Sequence, residues 1–192
     1  TDQITAEAVF TRPDGVRDVV RNGVVNIDGG ADNDWILATH FETTQVSGGS
    51  GNDSISTTTH AFAYIDGQDG NDSIVEVLEG SRMSLLYNSS PDPISTEPEY
   101  ATLRGGGGDD TISITVNSFI SYGPGYSPAY GKQYVQALGD AGDDYITLND
   151  WAAGRDLNST PNTGIFSADL SGGEGDDTLE ASGVLALTYT GG

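Results

Sequence analysis

The sequence predicts an all-β fold, a right-handed parallel β-solenoid, because one short motif occurs six times in its 192 residues. Each copy has a cluster of glycines, then an Asp, one variable residue and a large aliphatic residue, as in Gly48–Ile55. The motif aspartates Asp34, Asp53 and Asp72 follow one another at intervals of 19 residues. Self-similarity at a fixed period is the signature of coils that stack on one another. We therefore expect coils of about 19 residues, with every motif turn on the same edge.

The motif has the pattern GGxGxDxUx, where U is aliphatic, and these residue types specify a tight turn followed by a strand. Glycine permits positive φ and lets backbone carbonyl groups crowd together. Asp32 replaces the glycine at the fourth place, and Gln68 and Asp140 replace the one at the second. We expect these three turns to form as well, and Asp tolerates the left-handed region better than most residues. After the motif Asp, strand alternation turns the aliphatic residue inward, which predicts a core ladder of Ile36, Ile55, Ile74, Ile112, Ile146 and Leu179.

The chain is expected to form one elongated domain, with a partial first coil in residues 1–28 and repeat coils in 29–192. Each coil completes its thin core only by stacking on its neighbours. Gly15–Val20 and Val24–Ile27 are the predicted strands of the first coil.

The interval between Asp72 and Asp110 is about twice the length of a coil. Tyr87–Ile94 lies at its middle and keeps an Asp-x-Ile sequence at Asp92, but it has lost every glycine. This stretch predicts a degenerate coil.

Turn-forming residues in the later long intervals predict two inserted loops, near 122–134 and 152–163, on the edge opposite the motif turns. Ordinary strands such as Phe62–Ile65 make up the other half of each coil. Val184–Gly192 repeats the strand that precedes each Gly-Gly turn, so the chain is expected to be an excerpt from a longer repeat array.

Each motif turn offers only hard oxygen donors, which Ca²⁺ prefers and which do not suit zinc or copper. The pattern resembles the nonapeptide repeat of the RTX (repeats-in-toxin) family and covers about a third of the chain. The resemblance implies a β-roll-like module with one Ca²⁺ between successive turns, held by backbone carbonyls and one Asp carboxylate from each turn.

The resemblance implies four firm calcium sites, and the coil at Asp92 would raise their number to six. The firm sites lie between the aspartates at 34 and 53, 53 and 72, 110 and 144, and 144 and 177. The implied ligand residues are the aspartates Asp34, Asp53, Asp72, Asp110, Asp144 and Asp177 and the glycines Gly29, Gly30, Gly48, Gly49, Gly51, Gly67, Gly70, Gly105, Gly106, Gly108, Gly139, Gly142, Gly172, Gly173 and Gly175.

The composition is strongly acidic, with 29 acidic residues against 7 basic ones and a formal net charge of −22. Nucleic acid and anionic membranes would be repelled, and no hydrophobic run is long enough to insert into a membrane. Clustered aspartates repel one another without a cation, so we expect the metal-free chain to be partly unfolded. The chain has no cysteine, and calcium is the expected stabiliser in place of disulfides.

Millimolar calcium outside the cell matches the affinity of weak sites, so the expected location is extracellular or on the cell surface. The RTX resemblance implies a bacterial source and type I secretion. The expected partners are calcium and neighbouring repeat modules of the same protein.

Two groups of polar residues have two interpretations each. The first Asp of each doublet, at Asp109, Asp143 and Asp176, is favoured as a solvent-facing or supporting group over a direct ligand. His40 and His60 follow consecutive motif aspartates by six and seven residues and are expected to approach each other across coils. Surface packing is favoured there over a transition-metal site.

Exposed aromatic residues could stack on a sugar, although loop and edge packing is the favoured interpretation. A carbohydrate or other surface ligand has no further support in the sequence. The residues concerned are Trp35, Trp151, Tyr122, Tyr126, Tyr130 and Tyr134.

Three functions compete: a non-catalytic calcium-dependent module of a surface protein, a calcium-binding appendage of a secreted enzyme, and a catalytic or ice-binding solenoid. The chain has no HExxH or GxSxG motif and only two histidines, which argues against an enzyme. The residues that follow each U position are too varied for the regular threonine ladder of an ice-binding face. The irregular loop insertions and the end of the sequence in mid-repeat favour the module of an adhesin, surface-layer or matrix protein. The appendage of a protease, lipase or alginate epimerase is the alternative, and it is expected to keep uninterrupted nonapeptides.

Overall fold

A computed structural model describes residues 1–7, 9–11, 17–19, 23–79, 98–117, 133–150, 167–184 and 186–192. Within these ranges the regular structure is all β, and no helix is long and apolar enough to cross a membrane. The strands are β1 Gln3–Glu7, β2 Val9–Thr11, β3 Arg17–Val19, β4 Val24–Ala31, β5 Trp35–Ser50, β6 Ser54–Asp69, β7 Ser73–Glu79, β8 Glu99–Gly107, β9 Thr111–Asn117, β10 Gln133–Ala141, β11 Tyr145–Asp150, β12 Ser167–Glu174, β13 Thr178–Ser182 and β14 Leu187–Thr190.

Twelve of these strands form one sheet, in which all the strand pairs are parallel. The strands that follow the motif turns stack on one face: β1, the first halves of β5 and β6, β7, β9, β11 and β13. The strands that lead into the turns stack on the other: β4, the second halves of β5 and β6, β8, β10, β12 and β14. The prediction of an all-β, parallel, solenoid-like arrangement is confirmed.

The predicted aliphatic ladder forms the core between the two faces. Strand pairing places its members opposite one another from rung to rung, beginning with Ile36 against Ile55. The five isoleucines are at most 1% exposed, whereas Leu179 in the last rung is only partly buried. A side chain in the interior of the stack has a rung on both sides, which is why the terminal residue is less covered.

The degenerate coil expected at Asp92 does not lie between its neighbours. β7 pairs directly with β9, placing Ile74 opposite Ile112, and β6 pairs directly with β8, placing Ala63 opposite Ala101. Each face therefore passes from one rung to the next across this interval, and the intervening residues form an insertion. Asp92 itself lies outside the described residues.

Long insertions leave and rejoin the stack at the edge opposite the motif turns. Three of them follow the last residues of β7, β9 and β11 and precede the first residues of β8, β10 and β12. The last two lie where the sequence predicts inserted loops, although Gln133 and Tyr134, which the sequence assigned to the first loop, belong to β10. The remaining residues of both predicted loops lie outside the described part of the chain.

The first rung also differs from its prediction. β1 pairs with β5 from Gln3 opposite Trp35, so β1 and β4 form the first rung. Arg17–Val19, predicted as part of that coil, instead pairs antiparallel with Val9–Thr11 in a separate two-stranded sheet. At the other end β14 pairs with β12, and the prediction of a further turn-preceding strand is confirmed.

Candidate metal centre

All six motif turns stack on one edge and share the same backbone conformation. Their second places lie opposite one another and have positive φ in every copy, as do their fourth places. The three substituted positions follow the glycines, with φ of 75° at Asp32, 77° at Gln68 and 76° at Asp140. The prediction that these turns form without the glycine is confirmed.

An ion pair holds the side chain of Asp140 outside the turn. Arg104 donates from Nε to Oδ2 over 3.0 Å and from Nη2 to Oδ1 over 3.1 Å. This hydrogen bond and the negative charge of Asp140 raise the pKa of the Arg104 guanidinium. Asp140 therefore serves a surface ion pair between rungs and does not belong to the inner carboxylates described next.

The six motif aspartates form an inner ladder along the turn edge: Asp34, Asp53, Asp72, Asp110, Asp144 and Asp177. Each Oδ1 from 53 onward accepts the backbone N–H of the ladder aspartate one rung earlier, at 2.7–3.0 Å. The contact from Asp72 to Asp110 is as short as the others, at 2.7 Å. The inner ladder is therefore continuous, and all six predicted carboxylates belong to it.

The second oxygen of every ladder carboxylate, Oδ2, is buried and has no hydrogen-bond partner. The five aspartates from 34 to 144 are only 2–3% exposed. A buried polar atom without a partner costs free energy, and such atoms are rare in folded proteins. Six in one row point to a group that binds them.

The first glycine of each copy leaves room for this oxygen. A Cβ on Gly67 would come within 3.0 Å of both Asp72 Oδ2 and the carbonyl oxygen of Gly105 in the next rung. The same conflict recurs at Gly48, Gly105 and Gly139. A carboxylate oxygen and a carbonyl oxygen thus approach the space that a side chain would fill, and two such acceptors repel each other unless a proton or a cation lies between them.

Burial raises the pKa values of four aspartates of the inner ladder. The pKa of Asp72 rises to about 6 and that of Asp110 to about 7, chiefly through desolvation and further through neighbouring aspartates. The pKa values of Asp53 and Asp144 are raised as well, again chiefly by burial. Because the charged form lacks a counter-charge, a cation along the ladder would restore it.

The donor set fits calcium. Among the described residues no three His, Asp or Glu side chains gather as ligands of one ion, so backbone carbonyls would supply much of the coordination. Ca²⁺ takes six to eight oxygen ligands and accepts carbonyl oxygens readily, whereas zinc prefers nitrogen and sulfur. The ladder Oδ2 atoms and the carbonyls of the first glycines would hold such an ion.

A second, outer ladder runs beside the first and was missed in the sequence. Its side chains accept, through Oδ1, the backbone N–H of the equivalent residue one rung later, at 2.9–3.1 Å. Its members are Asn33, Asn52, Asn71, Asp109, Asp143 and Asp176. The doublet aspartates among them are exposed, as predicted. Asn or Asp precedes the motif Asp in every copy, and that regularity was the available signal.

Three aromatic residues stack on one another across neighbouring rungs. Tyr134 lies 5.1 Å from Tyr100, and Tyr100 lies 5.8 Å from Phe62, with nearly parallel rings. Both faces of Tyr100 are therefore covered by neighbouring rings, and no sugar could stack there. Trp35 is 39% exposed, and Trp151, Tyr122, Tyr126 and Tyr130 lie outside the described residues.

A carboxyl group lies in the hydrophobic core at Glu76. Strand pairing places Glu76 between Thr57 and Ile114, and the residue is fully buried. Its Oε2 accepts a hydrogen bond from the Thr57 hydroxyl, and burial raises its pKa to about 7. Strand alternation with Ile74 and Leu78 turns Glu76 inward, and this alternation was the signal in the sequence that could have identified it.

Comparisons with protein-family models, with curated protein sequences and with solved structures find no match to this chain. The class of protein that the fold defines is therefore a parallel, solenoid-like β protein with a buried carboxylate ladder along one edge.

Replacing Gly67 by Ala should destabilise the chain by about 1–3 kcal/mol, because the new Cβ meets Asp72 Oδ2 and the Gly105 carbonyl. Gly107→Ala is the matched control, since the nearest atom to its Cβ would be 3.8 Å away. Its effect should stay within about 0.5 kcal/mol. Urea unfolding measures both, and equal losses would show that the first glycine is not needed for close approach.

Glu76→Gln should stabilise the chain more at pH 8 than at pH 5. A folded pKa of about 7, against an ordinary 4.5, means that wild-type stability falls as pH rises through this range. The amide does not titrate, so its advantage should grow by about 2 kcal/mol between the two pH values. Urea unfolding at both pH values tests this, with the exposed Glu180→Gln as control. A difference in unfolding free energy between Glu76→Gln and the wild type that stays the same at both pH values would contradict the raised pKa of Glu76.

Proposed function

We propose that this chain is a calcium-dependent structural module of a secreted bacterial RTX-like surface protein. The observation that carries the proposal is the inner ladder, whose six buried Oδ2 atoms have no partner. Unpaired carboxylate oxygens beside carbonyl oxygens match the ligand set of Ca²⁺. The RTX-like motif, whose family binds calcium at this place, is independent support from the sequence.

Calcium would bind between successive rungs, held by Oδ2 atoms of two ladder aspartates and by backbone carbonyls of the glycine turn. The direct contact between Asp72 and Asp110 adds one junction to the four taken from the sequence. It also replaces the two junctions proposed through Asp92. Six ladder members form five junctions, so we propose up to five ions.

Charge supports a fold that depends on the cation. The chain has a formal net charge of −22, and part of this charge is the row of inner-ladder carboxylates, which lies away from water. Without a counter-ion these groups must take up protons or repel one another. The module would therefore fold where calcium is abundant, outside the cell, after export as a loose chain.

The placement of the insertions supports a scaffold role. Four interrupt described rungs at one edge, after Glu7, Glu79, Asn117 and Asp150, whereas the described turn edge has none. A calcium-stiffened edge would thus hold the rungs in register while the opposite edge varies. We favour this role over a calcium-binding appendage of a secreted enzyme, in which uninterrupted nonapeptides are expected.

Removal of calcium should unfold or greatly loosen the chain. A site whose dissociation constant is tenfold below ambient calcium contributes about 1.4 kcal/mol, so four such sites contribute about 6 kcal/mol. That is as large as the stability of many domains. Circular dichroism and thermal melting with millimolar calcium or excess EDTA provide the measurement. An unchanged melting temperature would contradict calcium-dependent folding.

Asp110→Asn should remove two calcium ions per chain while keeping the fold. The amide oxygen can still accept the N–H of Asp72, but the negative charge and the free Oδ2 are lost. Asp109→Asn makes the same charge change one residue earlier on the exposed outer ladder and should remove none. At the end of the ladder, Asp34→Asn should remove one.

Native mass spectrometry counts the bound ions in these three variants. Equal losses in the variants at 109 and 110 would show that the inner ladder is not the ligand. Equal losses at 34 and 110 would instead show that carboxylates are not shared between neighbouring ions.

A further inference from the structure

We propose that His40 and His60 form a second metal site, selective for a borderline divalent ion such as Zn²⁺, Ni²⁺ or Cu²⁺. The site lies on the edge opposite the calcium turns, about 20 Å along the strand from the inner ladder. It is independent of the calcium proposal because it uses nitrogen donors from other residues.

The two imidazoles lie in adjacent rungs and close to each other. Their ring centroids are 6.2 Å apart, with the ring planes inclined at 42°. An ion that bonds to one nitrogen of each ring at about 2.0–2.1 Å fits between rings at this separation. The chain contains only these two histidines, and the fold brings both to one place.

His60 has the tautomer that a metal ligand needs. Its Nδ1 lies 3.2 Å from the backbone carbonyl oxygen of Glu79. A carbonyl oxygen can only accept, so Nδ1–H is the donor and Nε2 carries the lone pair. The Glu79 carboxylate, with Oε2 4.0 Å from Nδ1, adds negative charge on the same side. Metal-binding histidines are commonly held in this way by a carbonyl or carboxylate.

One further nitrogen on each ring is buried without a partner. His60 is 7% exposed, and its Nε2 has no hydrogen bond. His40 Nδ1 is likewise buried and unbonded. One unpaired buried nitrogen is already unusual, and two on neighbouring rings indicate a shared ligand. A site for calcium is excluded here because imidazole nitrogen suits zinc, nickel and copper.

The backbone at His40 supports this interpretation. The residue has φ of 66°, an uncommon conformation for a side chain with a Cβ. It lies where the pairing of β5 with β6 shifts register, between Thr39 and Phe41. Such conformations persist only where the surroundings impose them, and they gather at binding sites. Here the bend places the His40 ring against His60.

The ion would take two ligands from these histidines and complete its coordination with water. No third His, Asp or Glu of the described chain joins them as a ligand. Surface packing, which the sequence favoured for both histidines, does not describe His60, because that residue is buried.

The test is metal titration of the full chain in millimolar calcium, which keeps the carboxylate ladder occupied. Isothermal titration calorimetry with Zn²⁺ should show one ion per chain. His40→Gln and His60→Gln should each weaken zinc binding at least about tenfold, with unchanged calcium stoichiometry and circular dichroism. Zinc binding that survives in the double variant, or no binding by the wild type, would overturn the proposal.

A second measurement uses the unaltered chain and so does not depend on the folding of any variant. Electron paramagnetic resonance with one equivalent of Cu²⁺ should show coupling to two imidazole nitrogens. Nitrogen NMR of the zinc-loaded chain should show shifts at His60 Nε2 and His40 Nδ1. Copper coupled to no imidazole, or imidazole resonances unchanged by zinc, would contradict the site.

Discussion

The hydrogen bond from each ladder aspartate to the next is the interaction on which the rest of the structure depends. Its acceptor oxygen links the turns of neighbouring rungs, and the same geometry leaves the other carboxylate oxygen buried beside a glycine. Stacking and charge therefore oppose each other at one edge. The free energy gained by extending the ladder is limited by the cost of the unpaired oxygens, which a cation would remove.

The two edges of the stack differ in how regular they are. At the turn edge every rung repeats the same backbone, because rungs approach so closely that added side chains at the first glycines would collide. At the opposite edge the rungs differ: two bend through His40 and His60, and four are interrupted by insertions. Buried polar groups, including Glu99 hydrogen-bonded by Gln133 at 2.9 Å, lie near these interruptions. The rungs can differ at this edge because no contact there is repeated from rung to rung.

Glu76 shows how a solenoid core can hold a polar residue. In the two neighbouring rungs, Thr57 donates a hydrogen bond to its carboxyl group and Ile114 excludes water from it. With a pKa of about 7, the carboxyl group is largely neutral in mildly acidic solution. Above that pH its buried charge lowers the stability of the fold. The raised pKa values of Asp53, Asp72, Asp110 and Asp144 act in the same direction, so acid favours the metal-free stack, and a bound cation would favour the charged ladder.

The sequence by itself determined the all-β class, the shared turn edge, the inward Ile and Leu positions and the membership of the inner ladder. These features follow from local chemistry repeated at a fixed place: glycine for positive φ, and alternation for the core. Only the tertiary structure decided that Asp72 contacts Asp110 directly, because a 38-residue interval fits an extra coil and an insertion equally well. It likewise decided that β1 forms the first rung, since pairing between distant segments depends on register and leaves no local mark in the sequence.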